Sequence, residues 1–364
     1  MKRLLCIVSA MNTGGAETFL MKIFRNIDKT KYCMDFCVNK EENYYESEIM
    51  SLGGKIYVIP TKSTHPIDSF ITLKKIVKDN KYDYVMRVNE HSLSTIDLIA
   101  AKLGGAKKLI MRSSNASSGS KKSVMLHKMF RFLSKTIPDV KIAPSELAAE
   151  YTFGKNCIKN GKAFLIHNAV DLDIYKYSID ERNRIRNEFN ISDKYVLGHI
   201  GRFNQQKNHN FLLDIFKKVL DIRPDSVLML VGKGELENEI KVKAKKLGIF
   251  NNIIFTGVRS DIPSLLSAMD VFVFPSLYEG MPNTVIEAQA TGLPCIISDT
   301  VTGEANITKS VKYLPITNID LWVDTILKIG IDNIRHNYNK EFIESGYEIK
   351  QSVKNFINLI FNEG

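Results

Sequence analysis

The feature that most limits what this chain can fold into is a four-residue apolar run, Val271-Phe272-Val273-Phe274, broken at once by Pro275, Ser276 and Gly280. A run this short and β-favouring reads as a buried strand. Asn283 is placed to cap a helix over Thr284–Thr291. Gly292 and Pro294 stop that helix, and Cys295-Ile296-Ile297 reads as the next strand. Strand, loop, helix, strand is the unit of a parallel sheet. Its loop falls at the carboxyl end of the first strand, where open α/β sheets bind ligands, and the helix start favours an anion. The loop carries Glu279, and Glu287 follows one turn into the helix.

The same alternation runs through the chain. Leu4–Ser9, Tyr32–Val38, Lys55–Ile59, Tyr84–Val88, Lys108–Met111 and Val140–Ala143 read as strands, with helical spacing in Ala16–Asn26, Tyr44–Leu52, Ile67–Lys78 and Leu93–Leu103. After a polar connector, Leu172–Asp193, a second series begins at Tyr195–Ile200 and continues through Val227–Val231, Ile253–Phe255 and Val311–Leu314. Helices are expected around Asp320–Ile329 and Ile331–Glu344, and in the tail Tyr347–Asn362. Repeated βα units imply doubly wound parallel sheets, and 364 residues exceed one ordinary core, so two domains are expected.

Composition narrows the setting. The balance of 44% hydrophobic and 25% charged residues is that of a soluble globular chain. Five scattered cysteines suit buried thiols in a reducing cytosol better than a disulfide or zinc framework. Lys2-Arg3 before LLCIVSA mimics a signal peptide, but the apolar run is short and enters a glycine turn, so it reads as the first strand. The net charge of +10 implies anionic partners. No Asp or Glu occurs from Leu98 to Pro138, and Lys121–Lys135 alternates bases with Val124, Met125, Leu126, Met129, Phe130, Phe132 and Leu133. As a helix this is basic and amphipathic, suited either to an anionic lipid surface or to a core helix with a solvated basic face. It lacks a recognisable nucleic-acid module.

Two carboxylates beside an anion-favouring helix start suit a ligand carrying both hydroxyls and phosphate, such as a nucleotide sugar. The stretch PSLYEGMPNTVIEAQATGLP, with Glu279 and Glu287 separated by seven residues and EANIT following, resembles the signature of retaining glycosyltransferases of family 4, in the capsule and exopolysaccharide branch. That resemblance implies a GT-B fold: two Rossmann-like domains facing across a cleft, here residues 1–170 and 171–344, with a last helix, 345–364, returning to the first. Phe164–Asp171 is similar to the family's hinge, with His167 where proline is usual and Ala169 where glycine is.

The resemblance also assigns roles. Gly15 belongs to a glycine loop near the reacting diphosphate, and His91 sits near the donor sugar. Gly201, Arg202 and Lys207 match a phosphate-binding loop, and Gly232 and Gly234 a turn near the nucleotide base. Glu279 would face sugar hydroxyls and Glu287 the ribose, with Gly280, Met281, Asn283 and Thr284 lining the donor site. Asn115 departs from a histidine usual in its loop, leaving the role of Arg112–Asn115 open. The implied reaction moves a hexose from a UDP-sugar to a lipid-diphosphate-linked saccharide with retention. No metal or other cofactor is expected, because Arg202 and Lys207 can neutralise the departing diphosphate. The protein would work in the cytoplasm, peripheral on the inner face of a bacterial cell membrane, through Leu98–Pro138. A GT-B UDP-sugar epimerase and a non-catalytic nucleotide-sugar-binding module are the alternatives.

Overall fold

A computed structural model describes residues 1–12, 14–89, 91–114, 121–330 and 335–362. The chain divides into two compact units, Met1–Ala169 with Gly346–Gly364, and Val170–Ser345.

The first unit holds a seven-stranded sheet: β1 (Lys2–Ile7), β2 (Tyr32–Val38), β3 (Ile56–Val58), β4 (Tyr84–Asn89), β5 (Lys108–Ser113), β6 (Val140–Ala143) and β7 (Phe164–Leu165), in spatial order 3-2-1-4-5-6-7. All pairings are parallel. Alternation along β1 sends Leu4 and Cys6 into one core and Leu5 and Ile7 into the other, so both faces are covered. The tail helix Ile349–Phe361 completes the first of these cores. Phe356 meets Phe19 edge-on, Phe361 packs on Tyr32 and Tyr84, and His167 stacks on Tyr347 at 4.1 Å.

The second unit holds six parallel strands: β8 (Tyr195–Ile200), β9 (Ser226–Val231), β10 (Ile253–Gly257), β11 (Val271–Phe274), β12 (Cys295–Ser298) and β13 (Lys312–Leu314), in order 10-9-8-11-12-13. Four of them, β8, β9, β11 and β12, are buried along their whole length, as strands covered on both faces must be.

Both sheets reverse their winding beside the strand that opens them, between β1 and β4 and between β8 and β11. The helices leave to opposite sides at such a point and open a crevice at the carboxyl ends of the strands. In the second unit the amino ends of β8 and β11 are pinned by a buried triad. Asp270 accepts from Arg182 (2.6 Å), Arg186 (2.7 Å) and the Val196 amide (2.7 Å). Both arginines come from a helix, Ile179–Glu188, inside the stretch expected to be only a connector. Its charge hid it, because these two cations point inward.

Two further expectations are corrected. The helix expected over Ile331–Glu344 runs only from Asn339 to Glu344. Residues 331–334 lie outside the described residues. Residues 335–338 are not helical, and the Arg335 guanidinium there bonds the Leu266 and Ser267 carbonyls. The helix after β11 is Asn283–Ala290, with Pro282 at the N-cap and no side-chain cap, so Asn283 is its first residue instead of its cap. Proline suits the boundary because its ring fixes φ at about −65°, which extended and helical backbone both accept, and it has no N–H to satisfy.

Candidate active site

The second unit's switch point gathers the residues with the most chemistry. Beyond Phe272↔Gly198, the His199 imidazole bonds the Val273 carbonyl (2.9 Å) in the gap between β8 and β11. The β8 loop then folds across the β11 loop. Asn204 Oδ1 accepts the Lys207 amide (3.1 Å), closing a 3₁₀ turn over Gln205–Lys207, and Asn208 reverses the chain at φ 54°. Gln206 is bonded both ways, its carbonyl accepting from the Leu277 amide (2.8 Å) and its side chain donating to the Tyr278 carbonyl (2.9 Å). Asn208 donates to the Pro275 carbonyl (3.2 Å). These bonds fix the two loops as one piece.

Within that piece the Lys207 ammonium lies 2.5 Å from Glu279 Oε1 and 4.5 Å from the centre of the Phe274 ring. The two side chains are 16% and 10% exposed, enough to be reached by a ligand and little enough for water to screen weakly. Glu279 is held by a parallel bridge to Val301. Gly201 makes room: a Cβ there would stand 3.1 Å from the Lys207 stem and from His199 Nε2. Gly232 and Gly234 are needed for the same kind of reason. Gly232 has φ 132° and a Cβ there would fall 2.2 Å from the Gly201 carbonyl oxygen, while one on Gly234 would fall 2.4 Å from that of Phe203. The β8 and β9 loops touch backbone to backbone.

Arg202 is placed differently from Lys207. Its guanidinium pairs with Glu235 at 3.1 Å, both side chains largely exposed. Such a pair contributes little and leaves the arginine free to turn towards an anion. Glu287, one turn into the Asn283–Ala290 helix, is 7% exposed, and Asn283 and Thr284 are half-buried at its start. Met281 packs on the core beneath, and Gly280 has open space where a Cβ would be.

Under the Lys207 loop lies a histidine pair that sequence reasoning passed over. His199 and His209 are buried with their rings 4.8 Å apart, and His199 Nε2 and both His209 nitrogens have no hydrogen-bond partner. Burial, with Lys207 nearby, pushes His209 down to about 4 and His199 well below the ordinary histidine range. Both rings are therefore neutral, and the positive charge above them stays on Lys207. A histidine inside an otherwise apolar strand was the available signal.

In the first unit, the switch point carries Gly14, Gly15 and His91. Gly15 opens the helix Gly15–Asn26 with Gly14 as N-cap, and the Glu17 carboxylate folds back to where a Cβ on Gly14 would be. His91 caps a 3₁₀ turn over Ser92–Thr95, its Nδ1 accepting from the Leu93 amide (3.3 Å), which leaves the ring proton on Nε2. The His127 ring meets it edge-on at 5.6 Å. Arg112 is 1% exposed, bonded to Asn168 (2.6 Å) and lying over the Phe19 ring, and burial pushes its guanidinium down to about 9. It is therefore no part of a basic surface. Lys107 pairs with Asp83 (3.0 Å) and Lys108 with the Asn362 carbonyl (3.0 Å). Arg112 thus drops out of the basic surface expected over Leu98–Pro138, while Lys102 and Lys107 stay exposed outside the Lys121–Thr136 helix. Asn115 and the side chains of Lys121 and Lys122 lie outside the described residues. Among the described residues no helix is long and apolar enough to cross a membrane, and no group of three His, Cys, Asp or Glu is arranged to hold a metal.

Comparison with known proteins gives the site its context. The profile of the family described as glycosyl transferases group 1 matches residues 181–349, which contain the whole Lys207–Glu279–Glu287 arrangement. A Bacillus subtilis protein named as a glycosyltransferase, EpsF, is 30% identical over 370 residues, covering 98% of this chain and 96% of its own. An Escherichia coli enzyme named UDP-Gal:alpha-D-GlcNAc-diphosphoundecaprenol alpha-1,3-galactosyltransferase is 28% identical over 316 residues, covering 81% of this chain and 80% of its own. Among solved structures, Anabaena HepE in complex with UDP-glucose has the same fold, with a TM-score of 0.73 at 17% identity over 100% of this chain and 96% of that one. The two parallel-sheet domains are those of the GT-B architecture. By near full-length kinship at this level of identity, the chain belongs to the group 1 glycosyltransferases.

Proposed function

We propose that this glycosyltransferase takes a hexose from a UDP-sugar and adds it, with retention of configuration, to a lipid-diphosphate-linked saccharide in exopolysaccharide or capsule synthesis. The observation that carries this reading is the Lys207–Glu279 pair at the β8/β11 switch point. An ammonium has three donors, so Lys207 can hold Glu279 with one and a diphosphate oxygen with another. Arg202, paired only at the surface, adds a second cation on turning inward. Together they offset the charge that develops as the nucleoside diphosphate departs, so no metal ion is called for. Glu279 accepts from sugar hydroxyls, and Glu287, buried behind the helix start, accepts from the ribose. His91, with its proton on Nε2, donates to the sugar; the Gly15 amide, at the start of its helix, is assigned to the diphosphate.

In the retaining step the acceptor hydroxyl forms its bond to the anomeric carbon on the face that the diphosphate leaves. The anomeric C–O bond breaks with its electron pair going to the phosphate, and the hydroxyl proton passes to that phosphate oxygen. A glycosidase-like pair of nucleophile and acid is not required, because same-face attack by itself retains the configuration and a neutralised diphosphate leaves without a strong general acid. The donor and acceptor classes are supported by the E. coli relative's name and by the fold neighbour's UDP-glucose complex. The naming of these relatives as transferases favours transfer over epimerisation or mere binding.

Incubation with a panel of UDP- and GDP-sugars, following nucleotide release with and without a lipid-linked acceptor, tests the proposal. Slow release from a UDP-sugar, accelerated by acceptor and giving an α-linked product from an α-linked donor, is expected. Epimerised nucleotide sugar, or binding with no release, would refute it.

A further inference from the structure

We propose that the Lys121–Thr136 helix docks this protein on an anionic lipid bilayer by inserting Met125, Met129 and Phe132 among the lipids while Lys128, Arg131 and Lys135 hold the headgroups. The inference rests in part on the proposed lipid-linked acceptor, which would lie at such a surface.

Sequence alone left the helix's apolar residues available for the core. The structure divides them. Met125, Met129 and Phe132 are 65%, 56% and 57% exposed, a concentration of large apolar surface on one helix. Their i, i+4, i+7 spacing stacks them in one strip. At about 100° per residue, that strip lies roughly opposite His127 and Ser134, with Lys128, Arg131 and Lys135 along one flank.

The opposite face is locked by polar contacts, so the helix cannot roll to hide the strip. His127, 1% exposed, accepts at Nδ1 from the Ser92 amide (3.3 Å) and is 3.0 Å from the Ser92 hydroxyl. Its Nε2 donates to the Tyr151 carbonyl (3.0 Å), and its ring stacks on Tyr151 at 4.1 Å. Ser134 bonds Thr95 (3.1 Å). Rolling the helix would break these buried bonds to cover three apolar side chains. Ser92 and Thr95 belong to the turn that His91 caps, so the buried face holds the donor-sugar histidine while the other faces outward.

The charge pattern selects the occupant. No acid occurs between Leu98 and Pro138, and the three bases beside the strip match an anionic headgroup layer. A two-fold contact between copies would instead set like charges against like. Apolar stripe and basic flank together are the mark of a helix lying in a membrane interface.

The test uses the full chain in flotation with vesicles of phosphatidylglycerol and phosphatidylcholine, and with phosphatidylcholine alone. The parent should float with anionic vesicles and weaken as salt screens the bases. M125S/M129S/F132S should lose at least about tenfold in partition at low salt with every base intact. K128Q/R131Q/K135Q should lose most of its preference for anionic over neutral vesicles. F132W should show a blue-shifted emission on vesicles, against Trp322, which is fully buried. Undiminished flotation of the apolar triple variant overturns the proposal. So does a concentration-dependent dimer of the parent that this variant abolishes, since the strip is then an interface between copies. UDP-sugar hydrolysis in solution should survive both triple variants. A chain that floats as described but hydrolyses no nucleotide sugar would sink the functional reading and leave the docking surface standing.

Discussion

Replacing Lys207 by methionine keeps the stem over Phe274 and removes the charge, which separates two effects that alanine would merge. The first is on stability. Glu279, 10% exposed, loses a partner 2.5 Å away. Orphaning a fully buried charge costs about 3–5 kcal/mol, and the residual exposure here lets water take up part of it, so about 1–3 kcal/mol is expected. The second effect is on turnover. A stabiliser of a departing anion contributes about 3–4 kcal/mol, or roughly 10²–10³-fold in rate. A double-mutant cycle with Glu279→Gln tells them apart. In the Glu279→Gln background no carboxylate is left to orphan, so the stability cost of Lys207→Met should vanish in denaturant melts. The turnover loss, read as nucleotide release from a saturating UDP-sugar, should persist. A folded Lys207→Met protein with near parental turnover would refute the phosphate-clamp role. So would a turnover loss that vanishes in the Glu279→Gln background, because Lys207 would then act only by placing Glu279.

Glu287→Gln should weaken UDP binding by about 1–3 kcal/mol in calorimetric titration, and unchanged affinity would reduce Glu287 to a helix-terminal charge. Gly234→Ala should cost about 1–3 kcal/mol in melts and raise KM for the donor, since the new Cβ falls 2.4 Å from the Phe203 carbonyl oxygen; an unperturbed KM would show that the β8 loop does not define the donor site. His209, pushed down from 6.5 to about 4 by burial, takes its proton more readily when unfolded. Its stabilising contribution is therefore complete above pH 6.5 and drains as pH falls towards 4, by about 3 kcal/mol in all. Melts at pH 5 and 7 should show His209→Phe losing less stability on acidification than the parent, and equal losses would contradict the burial argument.

Much of the fold was legible because parallel strands buried on both faces are written as short apolar runs between turn residues, and this holds wherever burial alone sets the pattern. Tyr32–Val38, Val140–Ala143, Tyr195–Ile200 and Val271–Phe274 have the boundaries expected from sequence. The pairing of Glu279 with Glu287 was legible as a motif, and its place after β11 as a loop between strand and helix. What sequence could not supply was partnership. Strand order decides that the β8 loop meets the β11 loop, and only that meeting puts Lys207 on Glu279, 72 residues away. The same holds where charge misleads. Arg182 and Arg186 read as solvent-facing until Asp270 is brought beneath them, and Arg112 reads as surface until Phe19 and Asn168 enclose it. Local periodicity records how much of a side chain is buried on average. Which charge neutralises which, and which apolar residues of the Lys121–Thr136 helix stay outside the core, depends on contacts between distant segments, and those exist only once the chain has closed on itself.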